Sequence, residues 1–505
     1  MKLKTITNKV RRIYHWLRHP GESLSQRVLH GGVWTFGLRI VNRGFGLIRT
    51  IVLARLLAPN DFGLFGIAML ALSSLESFSR TGFDQALIQK KEETESYLDT
   101  AWSVQVIRGL VLGGILVAGA PLVGLFFEEP KAILIVRVLG AAEVLKSLRN
   151  IGVVYFKKEL EFHKQFLYQF SGTLADLAVA LNFAFIFRSV WALIFGLLAR
   201  NLVKLILSYK IHDFRPSLNF DKNKAIELVN FGKWILGTSV LVFVATQGDD
   251  IFLGKVLGTT ALGFYQMSYK ISNLPATELT HVISRVSFPA YSKIQTNIKS
   301  LRKAFRKTFF ATVALSLPVS VAIFIFSAGL VNYVLGPEWD PIIWPLRILA
   351  IFGLTRSVTA LWGPLYKAVG EPKYATYSQI VRVFGIFLPL YWLTTRFGLI
   401  GTSVSVILGQ LGVLFFHLFY LYKISAFKID FSRVFTDLFG ELFSIGITLV
   451  FFYLILAPHI QSLISYFVVI SLTLLVFVLS MFLIDKLFEN PVLEEVRSLL
   501  EGSLS

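Results

Sequence analysis

Stretches of about 20 predominantly apolar residues recur along this chain from residue 30 to residue 485, with short polar intervals between them. A helix needs about 20 such residues to cross the hydrocarbon core of a bilayer. Backbone polar groups at that depth must be satisfied within the segment itself. The pattern predicts an all-α integral membrane protein. Fourteen spans are expected, over about 30–55, 61–80, 101–126, 132–155, 165–187, 190–209, 230–254, 260–289, 308–334, 342–366, 375–395, 398–422, 438–457 and 463–485. Charged residues make up 16% of the chain, against about 25% in average globular proteins. An ordinary soluble enzyme, a disordered chain and a collagen-like fibre are excluded. With no cysteine, disulfides, thiolate metal sites and cysteine nucleophiles are excluded as well.

The net charge of +19 is distributed in a way that sets topology. With the N-terminus cytoplasmic, the inner segments carry 29 Lys/Arg and the outer loops four, Lys131, Arg188, Lys255 and Arg396. That asymmetry is the positive-inside pattern, with both termini in the cytoplasm and basic loops facing anionic lipid. The expected location is the cytoplasmic membrane. Nucleic acid is a poor partner, since the charge is scattered between apolar spans. The first 29 residues lack a cleavable signal. Their Val10, Ile13, Trp16 and Leu17 either form a stripe on the membrane surface or belong to a mobile basic tail. The outer loops are too short for a catalytic domain, which argues against a membrane glycosyltransferase, ligase or polymerase. No phosphate-binding loop for ATP is present.

The chain also repeats itself. At an offset of 200, Gly32, Trp34, Gly37, Ile51, Leu53, Leu57 and Gly63 meet identical residues at 232, 234, 237, 251, 253, 257 and 263. At 210, Arg137, Leu139, Ser147 and Gln169 do the same, and Lys146 meets Arg356. Spans 1–6 and 7–12 thus read as two parallel six-helix repeats, related by an axis along the membrane normal. The expected organisation is a basic segment 1–29, an N-lobe 30–212, a linker 213–228, a C-lobe 229–424, helices 13–14 over 425–487 and a tail 488–505.

Charges inside spans are costly, about 2.5–3.5 kcal/mol at mid-bilayer, and mark function by default. The first span carries Arg39, Arg43 and Arg49; the first two share a helix face. They either face a wet cavity, where a guanidinium fork binds phosphate bidentately, or pair with buried acids such as Glu76, Asp84, Asp249 or Asp250. Lys146, Arg149, Arg347 and Arg356 form a second group, either in the cavity or at the cytoplasmic span ends. Lys270 and Arg382 are single cavity candidates. Asp249 and Asp250, beside Gly248, are candidates for Na⁺ or H⁺ coupling; the alternative is ion pairing. Glu278 and His281 could relay protons, though a satisfied buried histidine fits as well. No metal or cofactor site is expected.

The stretches GGVWTFGLRIVNRGFGLIRTIVLARLLAPNDFGLFGIAM (31–69), GFDQALIQKKE (82–92), FKKELEFHK (156–164), NFGKWILG (230–237), IFLGKVLGTTALGFYQMSYKISNLP (251–275), ISRVSFPAYSKIQ (283–295) and EWDPIIWPLRILAIFGLTRSV (338–358) carry a resemblance. Over roughly residues 25–425 the chain resembles the polysaccharide transporter family of the multidrug/oligosaccharidyl-lipid/polysaccharide exporter superfamily, nearest its Wzx-type colanic acid and teichuronic acid exporter branch. The resemblance implies fourteen helices in two six-helix lobes, set as a V, plus a final pair. It implies a non-enzymatic flippase for a polyprenyl-diphosphate-linked oligosaccharide, with a polysaccharide polymerase or export machinery as further partner. By analogy with lipid II flippases, Arg39, Arg43 and Lys270 would hold the diphosphate, and Phe467, Leu474 and Phe477 would line a lipid groove. A drug or metabolite antiporter of the same superfamily should have an acidic cavity, which the Arg-rich first span opposes. A scaffold that recruits glycosyltransferases would tolerate loss of the arginines.

Overall fold

The computed structural model describes residues 24–79, 95–159, 161–423, 443–444, 446–452, 455 and 462–488. All regular structure among them is helical. Seven described helices are long and apolar enough to cross a membrane, so the protein is a multi-pass membrane protein. The stripe at Val10–Leu17, Asp84, most of the expected thirteenth span and the C-terminal tail lie outside the described residues, as do the side chains of Glu278 and His281.

The chain forms two compact units, residues 1–243 and 244–505. The N-terminal unit contains α1 (Leu24–Leu56), α2 (Pro59–Phe78), α3 (Glu95–Phe126), α4 (Lys131–Ser147), α5 (Phe162–Phe187), α6 (Trp191–Ile211) and the first part of α7 (Lys222–Ser272). The C-terminal unit contains the rest of α7, α8 (Thr280–Ile294), α9 (Ile298–Gly329), α10 (Ile343–Thr359), α11 (Trp362–Ala368), α12 (Lys373–Lys423) and α13 (Leu463–Phe488).

Two of the expected outer loops shrink to single residues. α7 is broken at Gly258 (φ 84°) and α12 at Gly398 (φ 57°), conformations that glycine adopts without the Cβ clash other residues incur. The break between α1 and α2 falls at Leu57–Ala58, where Pro59 opens α2 and Asp61 accepts a hydrogen bond from the Ala58 amide (3.2 Å). The other oxygen of Asp61 accepts from the Val190 amide (2.9 Å) and so ties the start of α2 to the start of α6.

In the N-terminal unit α5 packs along α6, α3 on α4, and α1 on α5. The α5–α6 seam follows from small residues at helical spacing. The buried stripe of α5 is Tyr168, Gly172, Asp176, Ala180 and Ala184, and that of α6 includes Ala192, Gly196, Lys204 and Ser208. Every member is four residues from the next or a multiple of four, so each stripe lies on one helix face. Without a hydrophobic drive between helices in lipid, small residues of this kind allow close approach. A Cβ on Gly196 would lie 2.5 Å from Asp176 Oδ1, and one on Gly172 would lie 2.7 Å from Lys204 Cε.

The C-terminal unit packs α9 on α10 and α10 on α12. Its core is aromatic: Trp362 stacks on His417 (5.1 Å), whose Nδ1 is hydrogen-bonded to Tyr366 Oη (2.8 Å). Tyr466 of α13 donates to the Phe326 carbonyl (2.8 Å). Outward side chains such as Leu122, Leu125, Ile186, Leu388 and Ile464 are apolar and exposed, as lipid-facing positions require.

Three local departures from expectation have physical causes. α4 ends at Ser147 rather than near 155, because Asn150 caps a 3₁₀ turn over Ile151–Val154, its Oδ1 accepting from the Gly152 amide (2.8 Å). The eighth span is interrupted after Ser272 by a π-turn over Pro275–Leu279, where proline lacks the amide that a continuing helix would use. Phe477, expected in a lipid groove, is buried, whereas Phe467 and Leu474 are exposed.

Candidate functional site

The three first-span arginines have different surroundings. Arg49 forms an ion pair with Asp176 on α5 (Nε–Oδ1 3.1 Å), and Arg200 of α6 approaches the other oxygen of the same acid (3.9 Å). Arg39 and Arg43 are half-buried. Among the described residues, Arg39 makes no hydrogen bond or ion pair. Ile40, Leu47, Ile48 and Ile51 are exposed. Their spacing places them on one side of α1, flanked by the two arginines.

Lys146, near the end of α4, is held by Glu76 of α2 and by Glu143 (2.8 Å). Glu76, weighed as a partner for the first-span arginines, therefore serves α4 instead. Arg149 lies in the turn after α4; its Nε donates to the Lys146 carbonyl (2.8 Å) and its Nη1 reaches Tyr168 Oη at 3.4 Å. Nearby, Lys204 is buried, donates to Gln169 Oε1 (2.6 Å) and lies over the Tyr168 ring (5.4 Å). Asp176, Arg200 and Lys204 were missed in the sequence. The available signal was the four-residue stripe on α5 and α6, which becomes informative once those two helices are paired.

In the C-terminal unit, Asp249 and Asp250 of α7 are both buried. Tyr265 Oη donates to Asp249 Oδ2 (2.5 Å), and Gln266 Nε2 donates to Asp250 Oδ2 (3.4 Å). Arg356 Nη1 donates to Tyr269 Oη (2.6 Å). Arg356 and Arg382 lie over the Phe352 ring at 5.8 and 5.5 Å. Arg382 is buried and feels the charge of Asp249 as well as that of Arg356. The structure thus gathers four of the sequence candidates, Asp249, Asp250, Arg356 and Arg382, into one neighbourhood. Arg347 is apart from it, donating to Ser327 Oγ (2.8 Å) and lying over Trp344 (5.0 Å). Lys270, on the segment after Gly258, is exposed. Among the described residues, no group of three or more His, Asp or Glu side chains could hold a metal ion.

Residues 52–344 match a family described as "Polysaccharide biosynthesis protein", a stretch longer than half the chain. This chain belongs to that polysaccharide biosynthesis family. The family-level resemblance carried by residues 31–69 and the later motifs is thereby confirmed. One relative, the lipopolysaccharide biosynthesis protein WzxC of Escherichia coli (strain K12), is 26% identical over 394 residues, 77% of this chain and 80% of its own. The teichuronic acid biosynthesis protein TuaB of Bacillus subtilis (strain 168) is 21% identical over 370 residues, 72% of this chain and 77% of its own. The lipid II flippase MurJ, in an inward closed conformation, matches with a TM-score of 0.71 at 13% identity, covering 92% of this chain and all of that one. This member of the polysaccharide biosynthesis family therefore shares its fold with a solved flippase.

Proposed function

We propose that the protein flips a polyprenyl-diphosphate-linked oligosaccharide across the cytoplasmic membrane by alternating access, for surface polysaccharide biosynthesis. The observation that carries the reading is Arg39: a permanently charged guanidinium on an apolar helix, with no hydrogen-bond or ion-pair partner among the described residues. A charge in such a segment is retained for a reason. Phosphate is the ligand that a guanidinium fork fits best. The exposed apolar side of α1 beside it suits a substrate that is part lipid and part anion. The relatives are named for polysaccharide biosynthesis, and the shared fold includes a lipid II flippase. Both support a non-enzymatic transporter whose substrate carries a lipid-linked sugar.

In this reading Arg39 and Arg43 receive the diphosphate; Lys270 is an exposed cation of the C-terminal unit. Arg49, Lys146, Arg347 and Arg356 hold helices together through the contacts described. Asp249 and Asp250 form the coupling element, taking up a proton or a small cation during the cycle. Fourteen spans in two parallel repeats, with both termini cytoplasmic, complete the proposed layout. The spacing of 200 residues between the breaks at Ala58 and Gly258 supports the repeat.

The decisive experiment reconstitutes the full chain in liposomes with a fluorescent polyprenyl-diphosphate oligosaccharide and follows its protection from an external quencher. Wild type should move the lipid. The Arg39→Ala/Arg43→Ala variant should lose at least tenfold in rate. Movement that survives the double substitution removes the first-helix site. Absence of movement by wild type with any lipid-linked sugar overturns the flippase reading.

A further inference from the structure

The N-terminal unit contains a partly open cavity of about 170 Å³, lined among others by Gln105, Arg149, Asn150, Gln165, Tyr168 and Gln169. One water occupies about 30 Å³ in the liquid, so the space admits several waters or one tetrahedral oxyanion. Its wall is formed by the side of α3, the capped turn after α4 and the first two turns of α5.

The charge around this space is one-sided. Arg149 spends its Nε on a carbonyl and touches Tyr168 only at 3.4 Å, leaving guanidinium donors toward the cavity it lines. Lys204 stands behind Gln169 and Tyr168, with one strong hydrogen bond for three ammonium donors. No carboxylate lines the cavity among the described residues. The buried acids of the unit are committed elsewhere, Glu143 to Lys146 and Asp176 to Arg49 and Arg200. A guanidinium with unspent donors at a partly buried site is unfavourable unless an acceptor, best an anion, meets it. A neutral sugar could fill the volume but would leave the charge uncompensated.

We propose that this cavity is a binding site for a phosphate-sized oxyanion, separate from the first-helix arginines. Arg149 supplies the guanidinium contact, and Lys204, by occupying the oxygen of Gln169, turns that carboxamide's amino group into the donor left for the cavity. The amino groups of Gln165 and Gln169 are further donors of the wall, whereas that of Gln105 is spent on the Ser147 and Arg149 carbonyls (2.7 and 3.2 Å). The phosphate group is either that of a soluble ion or that of a membrane lipid headgroup.

Two arms separate these sources. In the first, the purified full chain in detergent is titrated with sodium phosphate and with pyrophosphate. Sodium chloride at matched ionic strength is the control, and calorimetry and thermal unfolding are the readouts. In the second, the protein is placed in phosphatidylcholine nanodiscs with or without phosphatidylglycerol, and unfolding is compared. The main variant is Gln165→Glu, which puts a carboxylate into the cavity near the N-terminus of α5, where negative charge is tolerated. Arg149→Gln is the second variant. Either phosphate source should stabilise wild type beyond chloride, and both variants should weaken that effect at least tenfold. A response in the lipid arm alone, lost in Gln165→Glu, assigns the site to a headgroup. No response in either arm, or an equal response in Gln165→Glu, overturns the proposal. The Arg39→Ala/Arg43→Ala variant should bind phosphate here as wild type does, so a failure of the flippase reading leaves this result intact.

Discussion

Asp176 and the pair Asp249–Asp250 are buried carboxylates on apolar helices, yet they are met by opposite kinds of partner. Asp176 stands between two guanidiniums, Arg49 and Arg200. Asp249 and Asp250 are met by a phenol and a carboxamide, with Arg382 acting on Asp249 only from beyond hydrogen-bond contact. A carboxylate neutralised by fixed cations has no charge left to exchange, and its removal strands those cations. A carboxylate that accepts only from neutral donors can take up a proton or a cation and release it again. The first arrangement is therefore a fastener between α1, α5 and α6. The second is suited to a cycle.

The comparison breaks most visibly at the fastener. Asp176→Ala leaves Arg49 and Arg200 without a counter-charge; loss of one partner of a buried pair costs about 3–5 kcal/mol. The lower end is expected here, because Arg200 is partly exposed. Thermal unfolding of the purified protein should shift sharply downward. The double variant Arg49→Met/Asp176→Leu should recover much of the loss, since an apolar pair of similar volume replaces a buried ion pair well. An unchanged unfolding temperature for Asp176→Ala would mean that the contact carries no stability.

A smaller effect on stability, but a larger one on function, is expected at the other site. Asp250→Asn keeps the shape and can keep a hydrogen bond to Gln266, so stability should change by about 1 kcal/mol or less. If Asp250 exchanges a proton during transport, the rate of lipid movement in liposomes should lose its dependence on pH in this variant. Asp176→Asn should retain that dependence at whatever rate it supports. A wild-type pH profile in Asp250→Asn would reduce Asp250 to a packing residue and erase the contrast.

How much of this was legible in the chain depended on whether the information is local. Apolar runs are local, and the helices follow them; the short outer loops reappear as the Gly258 and Gly398 breaks. The end of α4 was missed because Asn150 caps the following turn and also donates to the Phe214 carbonyl (2.5 Å), a contact 64 residues away. The importance of Asp176 and Lys204 was invisible for the same reason. A four-residue stripe on one helix is common, and it becomes a site only when a second helix brings Arg200 and Gly196 against it. Arg39 was legible because a guanidinium on an apolar helix is anomalous in any fold. The fate of Arg49 required knowing that α1 packs on α5.

The smallest effect concerns the rim of the same N-terminal fastening, outside the membrane spans. His212 follows α6 and stacks on Tyr155 (5.7 Å), and its Nδ1 accepts from the Phe214 amide (3.1 Å). Burial, reinforced by the charge of Lys164, holds the imidazole below its usual value, although Asp213, Glu161 and Glu159 pull the other way. The folded segment thus favours the neutral ring. Its contribution is full above the unfolded value of about 6.5 and is lost as pH falls below that value and through the lower folded one, where protonation of the folded ring removes the acceptor for the Phe214 amide. Hydrogen exchange over residues 212–216 should speed up between about pH 7.5 and 5.5 beyond the intrinsic change. His212→Phe, which keeps the stacking but cannot titrate, should remove that excess. The same excess in His212→Phe would place the titrating group elsewhere, among the Asp213, Glu161 and Glu159 carboxylates that act on the ring.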